Sequence, residues 1–201
     1  MKKPNSKEER LFKKLGFKYI AGADEVGRGA WAGPLVAAAV ILPENHRIRG
    51  INDSKKLSQT TREILFDIII DRAVAWSTVI IPNTDIDRLG IGVVNKQALA
   101  AAITKLSPKP HVALIDAMKI DTTLPCKSIV RGDEKVEIIA AASIVAKVTR
   151  DRLMSDYHRT FPQYGFRNHK GYGTAAHRKK IILHGLTPLH RRSFSPMKYM
   201  A

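Results

Sequence analysis

The sequence predicts an α/β fold, a mixed sheet of five strands with helices packed on it. Three observations carry that expectation. Five short runs are apolar or alternating and rich in β-branched residues. Longer segments between them have helical spacing. The early strands follow one another closely, whereas the later ones are separated by helices, as a mixed sheet requires.

The elements follow in order. "FKYIAGAD" (17–24) reads as a strand, and "PLVAAAVILP" (34–43) as an apolar strand bracketed by prolines. "SQTTREILFDIIIDRA" (58–73) predicts a helix with Ser58 as N-cap and Ile64, Leu65, Ile68 and Ile69 at helical spacing. "RAVAWSTVIIP" (72–82) alternates and is the third strand. "NKQALAAAITKL" (95–106) is a helix, "HVALIDAM" (111–118) a buried strand ending in an acid, and "CKSIVRG" (126–132) a further strand. "EIIAAASIVAKVTRDRLMSDYHRTF" (137–161) is a long amphipathic helix whose Ile, Val and Ala side leans on the sheet. "TAAHRKKIILHG" (174–185) is a shorter basic helix stopped by Gly185. The last helices either cover one face or stand off as a small lobe.

Composition narrows the function. The 201 residues hold 34 Lys and Arg against 18 acids, a net charge of +16. After Asp156 there is no acid, while nine Lys or Arg and five of the seven His lie there. This excess points to a polyanionic partner, nucleic acid before acidic lipid. The single cysteine, Cys126, excludes an internal disulfide and fits a cytoplasmic setting. The basic start "MKKPNSKEERLFKKLGFK" has no apolar core of a signal peptide, and runs such as "LVAAAVIL" are too short to span a bilayer.

The acids carry the chemistry. Asp24 and Asp116 each follow an apolar stretch at a strand end, where a carboxylate is costly unless paired, hydrogen-bonded or bound to a cation. With Glu25 they form a hard oxygen set that suits Mg²⁺ or Mn²⁺. A lone strand-end Asp is more simply a turn or cap residue. Asp133, in "RGDEKVEII", reads first as an N-cap of the long helix. Asp53, Asp121 and Asp151 read as turn, loop and helix-surface residues. No His or Cys cluster offers a zinc site.

"GRGAWAG" (27–33) lacks the spacing of a dinucleotide or phosphate loop, and a strand follows it. It reads either as a tight hairpin or as a place where Gly27 and Gly29 bring bare backbone N–H groups to a ligand. Ser143, Lys147, Arg150 and Asp151 form one polar stripe on the long helix. A solvated face is its plainer reading, and reach to a substrate phosphate the sharper one. Lys55 and Lys56 lie in a loop and Tyr172 in "KGYGT", where a core tyrosine is the simpler reading.

Taken together, the blocks "AGADEVGRGAWAGPLVAAAV", "DSKKLS", "LIDA", "GDEKVEIIAAASIVAKVTRDRLM", "YGFRNHKGYGTAAH" and "HRRSF" resemble type 2 ribonuclease H, the ribonuclease HII family, in order over about residues 17–196. The resemblance implies a ribonuclease H-like catalytic domain over 17–201, with a C-terminal helical region from about 157, behind a basic N-terminal extension at 1–16. It implies that Asp24, Glu25, Asp116 and Asp133 bind two divalent ions, Mn²⁺ or Mg²⁺, overturning the cap-only reading of Asp133. It assigns Gly27, Arg28 and Gly29 to the backbone and 2′-hydroxyl at the cleavage junction, and Tyr172 to the adjacent deoxyribose. It also raises Lys55, Lys56, Ser143 and Lys147 as substrate contacts.

The implied partners are RNA–DNA hybrids and duplex DNA containing ribonucleotides. The implied cut lies 5′ of a ribonucleotide and leaves 3′-hydroxyl and 5′-phosphate ends. A monomer is expected, and the tail "SPMKYMA" is left open as a replication-factor contact. Ala117 departs from the family, which commonly has Gly after the third carboxylate. The competing readings are a non-catalytic basic nucleic-acid-binding protein, which leaves the strand-end acids unexplained, and another metal nuclease of a related fold acting on DNA alone.

Overall fold

The computed structural model describes residues 3–200. Met1 and Lys2 of the N-terminal extension and Ala201 of the tail lie outside the described residues. In chain order the elements are α1 (Lys7–Lys14), β1 (Ile20–Val26), β2 (Leu35–Ile41), α2 (Gln59–Arg72), β3 (Ala75–Ile81), α3 (Asn83–Leu89) and α4 (Ile91–Lys105). Then come β4 (Val112–Asp116), β5 (Cys126–Ile129), α5 (Gly132–Lys135), α6 (Glu137–Thr160), α7 (Phe166–His169) and α8 (Ala175–His184). The five strands form one sheet in the order β3-β2-β1-β4-β5. β1 pairs antiparallel with β2 and parallel with β4, so the sheet is mixed, as expected.

Both faces are covered. Val36, Ala38 and Val40 of β2 and Val112 and Leu114 of β4 pack with α2 and α6 on one side. Ala37, Ala39, Ala113 and Ile115 pack with α3 and α4 on the other. The apolar run of β2 is thus a strand buried on both faces, which explains why it does not alternate. Ser58 caps α2 by accepting from Thr61 N at 3.1 Å. The spacing rule is only half met: Leu65 and Ile69 are buried, but Ile64 faces solvent.

α6 departs from the amphipathic helix the sequence suggests. Ile138 through Ala146 are all buried, and so are Arg150 and Asp151. The helix runs through the middle of the molecule, with sheet on one side and loops on the other. It lies closest to β1 at Gly22, where a Cβ would overlap the Ile138 carbonyl. From that crossing, two residues along β1 reach Asp24, about 7 Å, and five along α6 reach Ser143, about 7.5 Å. The missing side chain at Gly22 therefore sets the height at which strand and helix present their polar groups to each other.

α1, within the segment read as an extension, is tied to the start of α6. Asn5 N donates to Lys135 O at 3.0 Å, Glu137 N to Asn5 O at 3.1 Å, and Ile138 N to Glu9 Oε1 at 3.0 Å. At the other end α7 and α8 form a small lobe. Its core joins Met154, Tyr164 and Phe166 to Ala32 of the loop between β1 and β2.

Candidate active site

Side-chain alternation along β1 sends Asp24 to the α6 face and Glu25 to the α4 face. Asp116 ends β4, the parallel neighbour, on the same face as Asp24. Asp133 stands in the first turn of α5, immediately before α6. Carboxylate oxygens of Asp24, Asp116 and Asp133 all lie within 4.8 Å of one another. Glu25 lies outside that trio on the far side of the strand. It lines the same cleft, of about 560 Å³, together with Lys55, Ser143, Lys147 and Tyr172.

The trio is electrostatically uncomfortable on its own. Asp24 is 5 % exposed, and burial, then the charges of Glu25 and Asp116, push its pKa well above the usual carboxylate range. Burial also raises Glu25, against the opposing effect of Asn95, and raises Asp116, against the hydrogen bond from Gly132 N at 2.6 Å. Three carboxylates so close in a sheltered place call for a cation. Lys55 supplies one, donating to Asp133 Oδ2 at 3.0 Å. The donor set is all oxygen, buried on one side and open to the cleft on the other, which fits a hard divalent ion.

Lys55 and Lys56 are presented by a short 3₁₀ turn, Ser54–Lys56, capped by Asp53 through Lys55 N at 2.9 Å. Lys56 donates to Glu134 at 3.1 Å. Ser54 Oγ meets Ser143 Oγ at 3.0 Å, joining this turn to α6 above Asp24. Arg62 of α2 clamps the turn from behind, donating to Ser54 O at 2.9 Å and Leu57 O at 2.6 Å.

Asp151 corrects the reading of a surface residue. It is buried, accepts from Lys147 Nζ at 2.7 Å and lies 3.7 Å from Arg62. The stripe Ser143–Lys147–Arg150–Asp151 does share one side of α6. That side is roofed by the turn at 54–56 and by the C-terminal lobe, with Ser143 and Lys147 facing the cleft between them, so the stripe is not the freely solvated face the sequence allowed.

Arg28 and Gly29 are exposed and follow Val26, the last residue of β1 to line the cleft, and Gly27 is buried with φ 95°, a conformation glycine adopts freely. A Cβ at Gly27 would overlap the Arg150 side chain. Tyr172 stands across the cleft, with Lys147 Nζ 5.9 Å and Arg150 Cζ 5.2 Å from its ring centre.

Sequence reasoning missed Arg62, Asn95 and Arg191. Nothing local distinguishes a buried arginine from a surface one, since its partners are backbone carbonyls brought in from elsewhere in the fold.

A mixed five-stranded sheet flanked by helices, carrying two aspartates on adjacent parallel strands and a third at the entry to α6, places the protein among the metal-dependent nucleases of ribonuclease H-like fold. The family model described as ribonuclease HII matches residues 21–197. The ribonuclease HII of Bacillus cytotoxicus is 50% identical over 195 residues, 97% of this chain and 75% of that protein. The ribonuclease H2 of Pyrococcus horikoshii superposes with a TM-score of 0.79 at 26% identity, covering 90% of this chain and 96% of that one. A ribonuclease HII from Archaeoglobus fulgidus, solved in complex with PCNA, gives 0.76 at 30% identity, covering 88% and 95%. The chain belongs to the ribonuclease HII family and is a metal-dependent hydrolase of the ribonuclease H type. Among the described residues, no helix is long and apolar enough to cross a membrane.

Proposed function

We propose that the protein cuts the phosphodiester on the 5′ side of a ribonucleotide, in RNA–DNA hybrids and at single ribonucleotides within duplex DNA, leaving 3′-hydroxyl and 5′-phosphate ends. The observation that carries this reading is the convergence of Asp24, Asp116 and Asp133 within 4.8 Å beside a cleft that also holds Lys55, Lys147 and Tyr172. Asp24, Glu25, Asp116 and Asp133 would hold two divalent ions, Mn²⁺ or Mg²⁺, which when bound activate the attacking water and stabilise the departing 3′-oxygen.

The chain's own residues do the rest. The backbone of Gly27, Arg28 and Gly29 offers both donors and acceptors to a 2′-hydroxyl, the one group that marks a ribose in DNA. Tyr172 sets a flat apolar face against the neighbouring sugar, where a hydroxyl would not fit as well. Lys55, Lys56 and Lys147 supply positive charge for the phosphates, with Ser143 as a neutral donor on the same wall. Lys55 first has to leave Asp133, so metal and substrate binding both compete with that ion pair.

The test is a duplex with one embedded ribonucleotide, incubated with Mg²⁺ or Mn²⁺ and, separately, with chelator. A metal-dependent nick on the 5′ side with a 3′-hydroxyl end is expected. A nick elsewhere, or none, would overturn the reading, and cutting of an all-DNA duplex would favour a different nuclease.

A further inference from the structure

Arg150 and Arg191 are the largest fully buried side chains among the described residues. Burying a guanidinium without an anion is costly, and among the described residues neither one forms a salt bridge. Asp151, beside Arg150 in sequence, pairs instead with Lys147 and Arg62.

What the two guanidiniums hold is backbone. Arg150 donates to Pro34 O at 2.9 Å, Ala32 O at 3.1 Å and Lys170 O at 2.8 Å. Arg191 donates twice to Gly33 O, at 3.0 and 2.9 Å, and to Arg28 O at 3.0 Å. Five of these six bonds end on the loop 28–34, which begins as the glycine turn. The sixth ends two residues before Tyr172, whose ring also lies against Arg150. The same two segments are stitched directly by Trp31 N to Gly171 O at 2.8 Å and Ala32 N to Gly171 O at 3.2 Å. They approach so closely that a Cβ at Gly173 would overlap the Trp31 ring.

We propose that Arg150 and Arg191 are positioning residues for substrate choice: Arg191 fixes the course of the glycine turn and Arg150 ties that turn to the segment carrying Tyr172, so that together they set the separation at which a ribose and the deoxyribose next to it are read as one unit. The proposal rests on the assignment of those two elements to the sugars under the proposed function. A fork of five donors in one plane suits the task, because a single buried side chain can then span three carbonyls from two segments. Lysine, a point charge, cannot. A single ribonucleotide in DNA needs both halves of this reading at one register. A long hybrid offers a ribose at every position and does not use the deoxyribose half, so it depends less on the fixed separation.

The test compares kcat/KM on a single-ribonucleotide duplex with that on a long RNA–DNA hybrid for Arg191→Lys and Gly173→Ala. Mn²⁺ binding to the substrate-free protein and thermal unfolding are measured alongside. Gly173→Ala drives a wedge between the same segments without touching either charge, so it carries the test if Arg191→Lys does not fold. Mn²⁺ affinity is expected to match wild type, and the preference for the single ribonucleotide to fall at least roughly tenfold, since a misplacement of about 1 Å can cost about 10²-fold. Equal losses on both substrates, which a merely structural role would give, or an unchanged ratio would overturn the proposal. A wild-type protein that nicks neither substrate overturns the functional reading beneath it, a result distinct from an active wild type whose variants keep their ratio.

Discussion

Ala117 follows Asp116 with φ 44°, a left-handed conformation that its Cβ resists. Its N–H donates to Ile129 O at 3.0 Å, so β5 holds it there. The glycine that the family commonly carries at this point now has a physical reason: the chain must turn sharply after the carboxylate. Ala117→Gly is expected to stabilise the protein by about 0.5–1 kcal/mol, the relief of the left-handed strain less the extra entropy glycine gains on unfolding. Urea denaturation measures it, and a loss of stability would contradict the strain. Asp24 and Asp116 were legible from sequence because an acid ending an apolar strand is anomalous by itself. Asp133 was not, because at a helix start it has an ordinary explanation, and only the family pattern or the folded trio reveals the other.

Two elements make pH a probe of the structure. α1 docks on α6 through Glu9, whose pKa burial raises to about 7. Because that value lies above the unfolded carboxylate's, the folded state binds the extra proton, and its contribution to stability is lost as pH rises from about 4.5 to 7. Glu9→Gln, which keeps the acceptor for Ile138 N, is expected to remove that slope and to be the more stable protein above pH 7 in thermal unfolding. The C-terminal lobe behaves oppositely. Thr187 N donates to His190 Nδ1 and His177 Nδ1 faces the Tyr172 carbonyl, so His190 Nε2 donates to His177 Nε2 at 3.1 Å, and burial lowers both to about 4. Unfolded histidine takes up protons first, so the lobe loses stability as pH falls from about 6.5 toward 4. Trp31 lies 5.8 Å from the His177 ring. In a Trp76→Phe background its fluorescence is expected to change in that window and not between pH 7 and 9.

Among elements, α6 was readable to within a residue at each end because its length and spacing left no alternative. α3 was not foreseen and α4 was placed four residues late. "NTDIDRL" is a short polar helix with no stripe long enough to register, and Gly90 between the two hides that one begins where the other stops. The burial of residues 138–146 of α6 on all sides was also hidden, since the loops that cover its polar stripe come from residues 54–56 and 170–172, far away in sequence.

At the scale of the whole molecule, the fold brings distant parts of the chain to one cleft: two strand ends, the entry to α6, a lysine-bearing turn, and a C-terminal lobe fastened to the β1–β2 loop. The net charge of +16 favours a polyanionic partner, while the acidic focus needs a cation before it can receive one. The claim on which the rest stands is that the aspartate trio is a divalent-cation site. Its most direct test is calorimetric titration of the substrate-free protein with Mn²⁺, set against Asp24→Asn. Saturable binding by the wild type that is abolished or weakened at least about tenfold in the variant, some 1.4 kcal/mol of binding free energy, is the expected result. Binding that is absent from the wild type, or untouched by Asp24→Asn, would contradict the account.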